Sequence, residues 1–228
     1  MWTVEHRKLL EDTGAVCVPS GLPVVDLAVL REELAPYEGQ PGARLNRPGD
    51  AVTNLVGPSG ALGRLASSIL ANAARPVRVL VFDKSERSNW SVPWHQDRTI
   101  AVAGRAKVAG FQNWTMKRGT QHVEPPFEII ERMITLRLHL DDCQRDNGPL
   151  QTISGSHRLG KLNDAGTKAA VADGEGKQHT ALEGDILVLR TSIIHASPSA
   201  TRPARRRVLH VEFSPDELPA SLEWALIL

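Results

Sequence analysis

Cysteine is scarce in this chain, with only Cys17 and Cys143 among 228 residues. A disulfide-stabilised scaffold needs more cysteines in a shorter chain, and neither cysteine has a partner at a metal-ligand spacing. The sequence therefore excludes a disulfide framework and a cysteine-based zinc site. We expect both thiols to be buried and inert, as free cysteines usually are.

An excess of charge of one sign is also missing, because 27 basic residues stand against 26 acidic ones. So small a net charge does not attract phosphate backbones or anionic lipids, so we expect neither nucleic acid nor membrane as a partner. The chain lacks the run of about 18 apolar residues that a membrane helix requires. Its first segment, MWTVEHRKLLED, is charged and unlike a secretion signal. We therefore expect a protein of the reducing cytoplasm.

What remains is a globular composition, with 41% hydrophobic residues and no repeat, low-complexity tract or long linker. We expect one domain over residues 1–228, since all-β barrels often reach this length as one unit. Leucines at spacings of three and four predict a helical N-terminal part up to about residue 76. Short apolar or alternating runs predict strands from about residue 77 to residue 213, with one short helix at 127–133.

Alternating strand and helix units are absent, which argues against a Rossmann-type parallel sheet. Helices in front and antiparallel strands behind are typical of a jelly-roll barrel with a helical flank. The predicted fold class is therefore mainly β.

Four histidines are followed two residues later by a carboxylate: His95/Asp97, His122/Glu124, His139/Asp141 and His210/Glu212. On a strand, residues two apart share a face, so each pair is able to reach one metal ion. An iron site of two histidines and one carboxylate needs a further histidine from a distant strand. His122 and His179 lie in charged or loop contexts, and we expect both to be exposed.

His195 is the best candidate for the further histidine. It follows a turn and a buried strand at 184–190, and it lies 100 residues beyond His95, which leaves room for the intervening strands of a barrel. The interval from His139 is shorter and contains too few strand signals. The sequence thus predicts a metal site of His95, Asp97 and His195.

Three consecutive arginines precede the strand predicted at 208–213. Alternation puts Arg207 on the apolar face of this strand, which we expect to pack against the helices, and Arg206 on the face that points into the barrel. A guanidinium there is suited to clamp a carboxylate through two parallel hydrogen bonds. Arg205 and Arg207 are expected to be solvated surface charges.

The run at 134–140 alternates in the same way, and Thr135, Arg137 and His139 form its polar face. If the apolar face meets the helices, these side chains line the cavity, where a buried Arg137 needs an anion. Arg137 is therefore a candidate for binding a substrate or co-substrate carboxylate. Pairing with Glu212 or another internal carboxylate is the structural alternative.

Six short segments follow one another in a fixed order: PWHQD at 93–97, DNGPL at 146–150, GSH at 155–157, GD at 184–185, HAS at 195–197, and Arg206. Their order and spacing resemble the phytanoyl-CoA dioxygenase family, from about residue 82 to residue 213. The resemblance implies a double-stranded β-helix of cupin-like shape that holds Fe(II) and uses 2-oxoglutarate as co-substrate and molecular oxygen as oxidant. It assigns His95, Asp97 and His195 as metal ligands and Arg206 as the clamp for the distal carboxylate of 2-oxoglutarate.

The resemblance implies roles for further residues. Gln96 and Ser197 match family positions near the co-substrate, and we place Thr135, which faces the cavity, with them. Lys84 and Trp90 lie in a segment that looks like the one before the metal motif in a bacterial branch of the family. This likeness implies that both lie near the substrate.

These expectations predict an Fe(II)- and 2-oxoglutarate-dependent hydroxylase that acts on an aliphatic C–H bond of a small molecule and releases succinate and carbon dioxide. Lys84 and Arg137 favour a substrate that bears a carboxylate. Asp97 disfavours halogenation, because related halogenases lack this carboxylate. Two rivals remain: a non-catalytic barrel that binds a small anion, and a cupin-like metalloenzyme without 2-oxoglutarate, which would leave Arg206 without a role.

Overall fold

The structure, a computed structural model, describes residues 2–71, 74–219 and 221–228. Within these ranges the helices are α1 (Val4–Thr13), α2 (Val24–Leu34), α3 (Asp50–Val56), α4 (Ala61–Leu70), α5 (Phe127–Arg132) and α6 (Asp164–Asp173). The strands are β1 (Ala15–Pro19), β2 (Pro41–Arg44), β3 (Arg75–Lys84), β4 (Val92–His95), β5 (Ile100–Val102), β6 (Gln112–Lys117), β7 (Thr120–Glu124), β8 (Ile134–His139), β9 (Leu150–Ile153), β10 (Gly176–His179), β11 (Asp185–Arg190), β12 (His195–Ser197) and β13 (Arg206–Ser214).

The first helix shows how local sequence sets an element's ends. The Thr3 side chain accepts a hydrogen bond from the His6 amide, and the His6 ring accepts one from the Thr3 amide, which forms a capping box. The helix ends at Gly14, whose φ of 81° suits a residue without a Cβ. The chain reverses there and enters β1 directly.

The largest sheet has six antiparallel strands in the order β1-β11-β8-β13-β3-β2. Alternation gives it one apolar face, which packs against α2, α3 and α4 in the main core. On β13, Leu209 and Val211 belong to this core, and they lie opposite Leu138 and Leu136 of β8. The burial of these side chains is the main force that holds the helical flank on the barrel.

A second sheet, of order β10-β9-β12-β4, faces the other side of the six-stranded sheet, and the two line one cavity together. This arrangement confirms the predicted jelly-roll barrel with a helical flank. A third sheet, β5-β7-β6, has its own small core. The turn between β6 and β7 lies against β2, where Arg118 donates to the Gly42 carbonyl and Asn46 donates to Thr120.

The N-terminal part is less helical than the sequence predicted. It contributes β1 and β2, which pair with β11 and β3 in the six-stranded sheet. Conversely, α6 lies in the part predicted to be β-rich, and it has no fully buried residue to produce an apolar period. Among the described residues, no helix combines the length and the apolar character needed to cross a membrane.

Candidate metal centre and cavity

His95, Asp97 and His195 come together at the edge of the four-stranded sheet. Their ligand atoms lie within 4.8 Å of one another, and the described part of the chain contains no second group of this kind. Strand pairing produces the cluster, because β4 and β12 are antiparallel neighbours with His195 directly opposite His95. Asp97 follows β4 by two residues, so its carboxylate returns to the same side of the chain.

Backbone contacts fix both histidine rings for metal binding. His95 Nδ1 lies 2.8 Å from the Pro93 carbonyl oxygen, and His195 Nδ1 lies 2.9 Å from the Ile193 carbonyl oxygen. Since a carbonyl only accepts hydrogen bonds, each Nδ1 must carry the proton, which leaves the Nε2 lone pair free for a metal. Burial lowers the pKa of His195 to about 4, so its ring is neutral near pH 7.

Asp97 remains ionised beside these rings. Burial alone would raise the pKa of its carboxyl, but the Arg78 guanidinium and the neighbouring histidines lower it well below its ordinary value. One Arg78 nitrogen lies 3.8 Å from an Asp97 oxygen. Two imidazoles that present Nε2 and one carboxylate form a donor set that suits Fe(II).

The other three histidine–carboxylate pairs make different contacts. Asp141 is held by Arg207 at 2.6 Å, on the opposite face from His139. Glu124 bonds to Asn113 and Lys161, and Glu212 forms an ion pair with Arg78. His122 and His179, both expected to be exposed, are instead buried, at 0% and 5% exposure. His122 bonds to the Thr120 carbonyl and His179 to the Thr152 hydroxyl, which satisfies one polar atom of each ring.

A cavity of about 180 Å³ lies beside the cluster, between the two facing sheets. Eight of the residues singled out from the sequence line it: Lys84, Trp90, His95, Asp97, Arg137, His195, Ser197 and Arg206. The three candidate metal ligands come from the four-stranded sheet, whereas Lys84, Arg137 and Arg206 come from the six-stranded sheet. A small ligand in this cavity therefore touches both sheets.

Arg206 and Lys84 form the closed end of the cavity. They lie opposite each other on β13 and β3, and each is only 2% exposed. Lys84 Nζ donates to Ser197 Oγ at 2.9 Å and to the Pro198 carbonyl at 2.7 Å, whereas Arg206 reaches only the Cys143 sulfur, at 3.7 Å. Neither cation forms an ion pair within the described ranges. This end lacks an anion, and a ligand carboxylate fits that need.

Lys84 lines the cavity, as a residue near the site should, and strand register sets it beside Arg206. Burial, followed by the charge of Arg206, lowers the pKa of Lys84 to about 7. The Trp90 ring lies next to it, with its centroid 5.4 Å from the ammonium nitrogen. Trp90 thus forms a wall of the cavity.

Arg137 lies in the middle of the cavity, on β8 opposite His210. It is 6% exposed, donates to His210 Nδ1 at 2.9 Å, and has its guanidinium carbon 5.2 Å from the centroid of Phe82. Its predicted internal partner, Glu212, pairs with Arg78 instead. Arg137 contacts Glu212 only through His210, whose Nε2 lies 3.3 Å from the carboxylate. A direct Arg137–Glu212 ion pair is therefore absent from the described structure.

Two predicted co-substrate residues do not line this cavity. Gln96 is buried on the other side of β4, where its amide bonds to Gly160, Leu162 and Ser192. It fixes the loop that leads into α6. Thr135 bonds to Thr191 at 3.1 Å and lines a small adjoining recess of about 10 Å³, which Asp97 and His195 also line.

Arg78 is the site residue that the sequence reasoning missed. It lies on the inward face of β3, and its side chain is 10% exposed between Glu212 and Asp97. The sequence does contain a signal for Arg78. Valines 77, 79 and 81 alternate along β3 and form its apolar face, so Arg78 lies on the opposite, inward face, as Arg137 does on its own strand.

Comparison with known proteins gives one family and many related folds. The family model for phytanoyl-CoA dioxygenase (PhyH) matches residues 59–208. No curated protein matches the sequence. Among solved structures, AviO1 from Streptomyces viridochromogenes Tue57 is 21% identical, with a TM-score of 0.63, over 96% of this chain and 100% of its own.

Two further structures contain ligands. EctD from S. alaskensis, solved with 2-oxoglutarate and 5-hydroxyectoine, is 12% identical with a TM-score of 0.71, over 93% of this chain and 76% of its own. HygX from Streptomyces hygroscopicus, solved with nickel and 2-oxoglutarate, is 16% identical with a TM-score of 0.65, over 94% of this chain and 88% of its own. These likenesses confirm the predicted double-stranded β-helix.

Proposed function

The chain belongs to the phytanoyl-CoA dioxygenase family, and on that premise we propose that it hydroxylates an aliphatic C–H bond of a small molecule at a metal held by His95, Asp97 and His195. It is an Fe(II)- and 2-oxoglutarate-dependent oxygenase, with iron as cofactor and 2-oxoglutarate as co-substrate. One observation carries the site assignment: the ligand cluster and the unpaired cations Arg206 and Lys84 share a single cavity.

The metal ligands are prepared by the fold before any ion binds. Contacts with backbone carbonyls hold both histidine rings with Nε2 free, and Asp97 is ionised, so the three donor atoms are available to a metal. The bound iron and 2-oxoglutarate supply the oxidation, in which 2-oxoglutarate, oxygen and a C–H bond become succinate, carbon dioxide and a C–OH group. The chain itself fixes the donor atoms and excludes water.

The closed end of the cavity holds the co-substrate. Arg206 offers a guanidinium fork to the distal carboxylate, and Lys84 and the Ser197 hydroxyl, which already bond to each other, complete the contact. The Arg137 guanidinium lies over the Phe82 ring. Phe82 is on β3 between Lys84, which pairs with Arg206, and Leu80, which pairs with His210. From this position, next to the Arg206–Lys84 pair, Arg137 is better placed to contact the co-substrate than the primary substrate.

The sequence had assigned Lys84 and Arg137 to the substrate, and the expectation of a substrate carboxylate rested on them. Their new assignment leaves Trp90 as the member of that group that faces the remaining space. We also propose that residues 1–228 work as one domain. The reason is that β1 and β2, from the N-terminal part, complete the sheet that carries Lys84, Arg137 and Arg206.

The test is an anaerobic titration with Fe(II) and 2-oxoglutarate. If both bind at one site, the visible absorption of an iron–2-oxo acid complex develops, and the His95→Ala and His195→Ala variants lose it. His139→Ala, on the rival pair, keeps it. Exposure to oxygen should then release succinate.

Each rival function predicts a different result. A non-catalytic barrel binds 2-oxoglutarate without the absorption and releases no succinate. A cupin-like enzyme consumes oxygen without any need for 2-oxoglutarate. If His139→Ala lost the absorption and His195→Ala kept it, the metal site would instead be at His139 and Asp141.

A further inference from the structure

The cavity has a closed end and an open end, and the open end is beside Asp97. The Asp97 side chain is 24% exposed to solvent, whereas Arg206 and Lys84 at the other end are each 2% exposed. A volume of about 180 Å³ is below the roughly 300–1,000 Å³ that is usual for ligand pockets. With 2-oxoglutarate at the closed end, little enclosed space remains. The primary substrate must therefore approach from the Asp97 side and be recognised there.

Three basic side chains lie at or next to this open end, and Arg78 is the one that lines the cavity. Arg78 lines the cavity, is nine-tenths buried, and has an Nε without a hydrogen-bond partner. Arg44, on the edge strand β2, lies opposite Leu80 and so on the same inward face, and its Nε is also buried without a partner. Lys117, at the end of β6, has its Nζ 3.4 Å from the hydroxyl of Thr99, two residues after Asp97.

The pKa values reflect how close these groups are. Burial lowers the pKa of Arg44, and the charge of Arg78 lowers it further. Burial and Arg78 act in the same way on the pKa of Lys117. Burial lowers the pKa of His122 to about 4, with added effects of Arg78, Lys117 and Arg44, so His122 stays neutral.

The two carboxylates at this end of the cavity already have partners or roles. Glu212 forms its ion pair with Arg78, and Asp97 is the metal ligand of the proposed function. Arg44 and Lys117 form no ion pair with any described residue. A bound iron would add positive charge beside them. The open end therefore keeps a local excess of positive charge, although the chain as a whole is close to neutral.

We propose that Arg78, Arg44 and Lys117 form a binding subsite for an oxyanion of the primary substrate, a carboxylate or a phosphate, at the open end of the cavity. The proposal rests on the proposed function, since it needs the closed end to be filled by 2-oxoglutarate. The substrate's anionic group docks between β2, β3 and the β6–β7 turn, and its reacting carbon points towards the metal ligands. This subsite is separate from the one at Arg206, because the two lie at opposite ends of the cavity.

The test uses protein loaded with Zn(II) and 2-oxoglutarate, which blocks the closed end without turnover. Inorganic phosphate and acetate are titrated separately by calorimetry, so that the two arms show which oxyanion the subsite prefers. We expect at least one to bind, with a dissociation constant about tenfold higher in Arg44→Gln. In Lys117→Gln, where the side chain is exposed, the increase should be about threefold.

Arg47→Gln is the matched control. Arg47 is an exposed arginine three residues from Arg44, and its replacement changes the net charge by the same amount. It should leave oxyanion binding unchanged. Melting curves check that Arg44→Gln is folded, and Lys117→Gln gives an independent test at the exposed end of β6. Absence of binding of both anions, or equal binding in all variants, would overturn the subsite. A wild-type protein without the iron–2-oxo acid absorption would instead remove the proposed function, and the subsite with it.

Discussion

Replacing Arg137 by glutamine distinguishes a ligand-binding role from a structural one. In the free protein Arg137 is buried without a carboxylate partner, and its one side-chain hydrogen bond goes to His210. If its anion is the co-substrate, Arg137→Gln should weaken 2-oxoglutarate binding and leave the free protein almost as stable as wild type.

The magnitudes follow from these contacts. Leaving a buried ligand carboxylate without its charge partner costs about 2–5 kcal/mol, which corresponds to a roughly 30-fold to several-thousand-fold increase in Kd. In the free protein the change removes one hydrogen bond, worth about 1 kcal/mol. It also removes a charge whose pKa burial has lowered to about 9, so the two effects partly cancel. The melting midpoint should move by less than about 4 °C.

The assay is a 2-oxoglutarate titration of the metal-loaded protein, combined with melting curves of the free protein. Arg207→Gln is the control, because Arg207 lies on the opposite face of β13 and holds Asp141 at 2.6 Å. It should lower the midpoint slightly and leave 2-oxoglutarate affinity unchanged. A fall of many degrees in free Arg137→Gln, with unchanged 2-oxoglutarate binding, would refute the reasoning and make Arg137 part of the framework.

Three further results are expected. Asp97→Ala should lose stoichiometric iron while staying folded, as measured by metal analysis and circular dichroism, and His139→Ala should keep its iron. Arg206→Lys retains the charge but not the fork, so its 2-oxoglutarate requirement should rise with iron binding intact; a larger rise in Arg207→Lys would mean that the wrong arginine was chosen. Burial lowers the pKa of Lys84 from 10.5 to about 7. Between pH 7 and pH 10.5 the unfolded chain therefore binds more protons than the folded one, so the free energy of unfolding of the free protein should rise with pH. Urea unfolding at several pH values should show that Lys84→Met flattens this rise.

The sequence was informative wherever side chains alternate along a long strand. On β13, alternation separated Arg206 from Arg207, and the structure places the first at the cavity and the second on the helical side with Asp141. The strands β3, β8, β11 and β13 are six to ten residues long, and their apolar periodicity is clear.

The remaining features depend on register and on short elements. Strands such as β2 and β12 have four and three residues, too few to show a period. The pairing of Lys84 with Arg206 depends on strand register, which no local pattern contains. Gln96 follows His95 in sequence, yet alternation turns its amide to the other side of β4, where it holds a loop.

The division of the cavity between two sheets has a thermodynamic consequence. The candidate metal ligands belong to the four-stranded sheet, and Lys84, Arg137 and Arg206 belong to the six-stranded sheet. The two sheets are joined at this point by the Lys84–Ser197 hydrogen bond. A co-substrate that contacts both sheets fastens them to each other, so part of its binding free energy goes into fixing their spacing. Linkage is reciprocal, so iron must raise the affinity for 2-oxoglutarate by the same factor as 2-oxoglutarate raises the affinity for iron. The measured affinity for each of the two ligands should therefore depend on whether the other is bound.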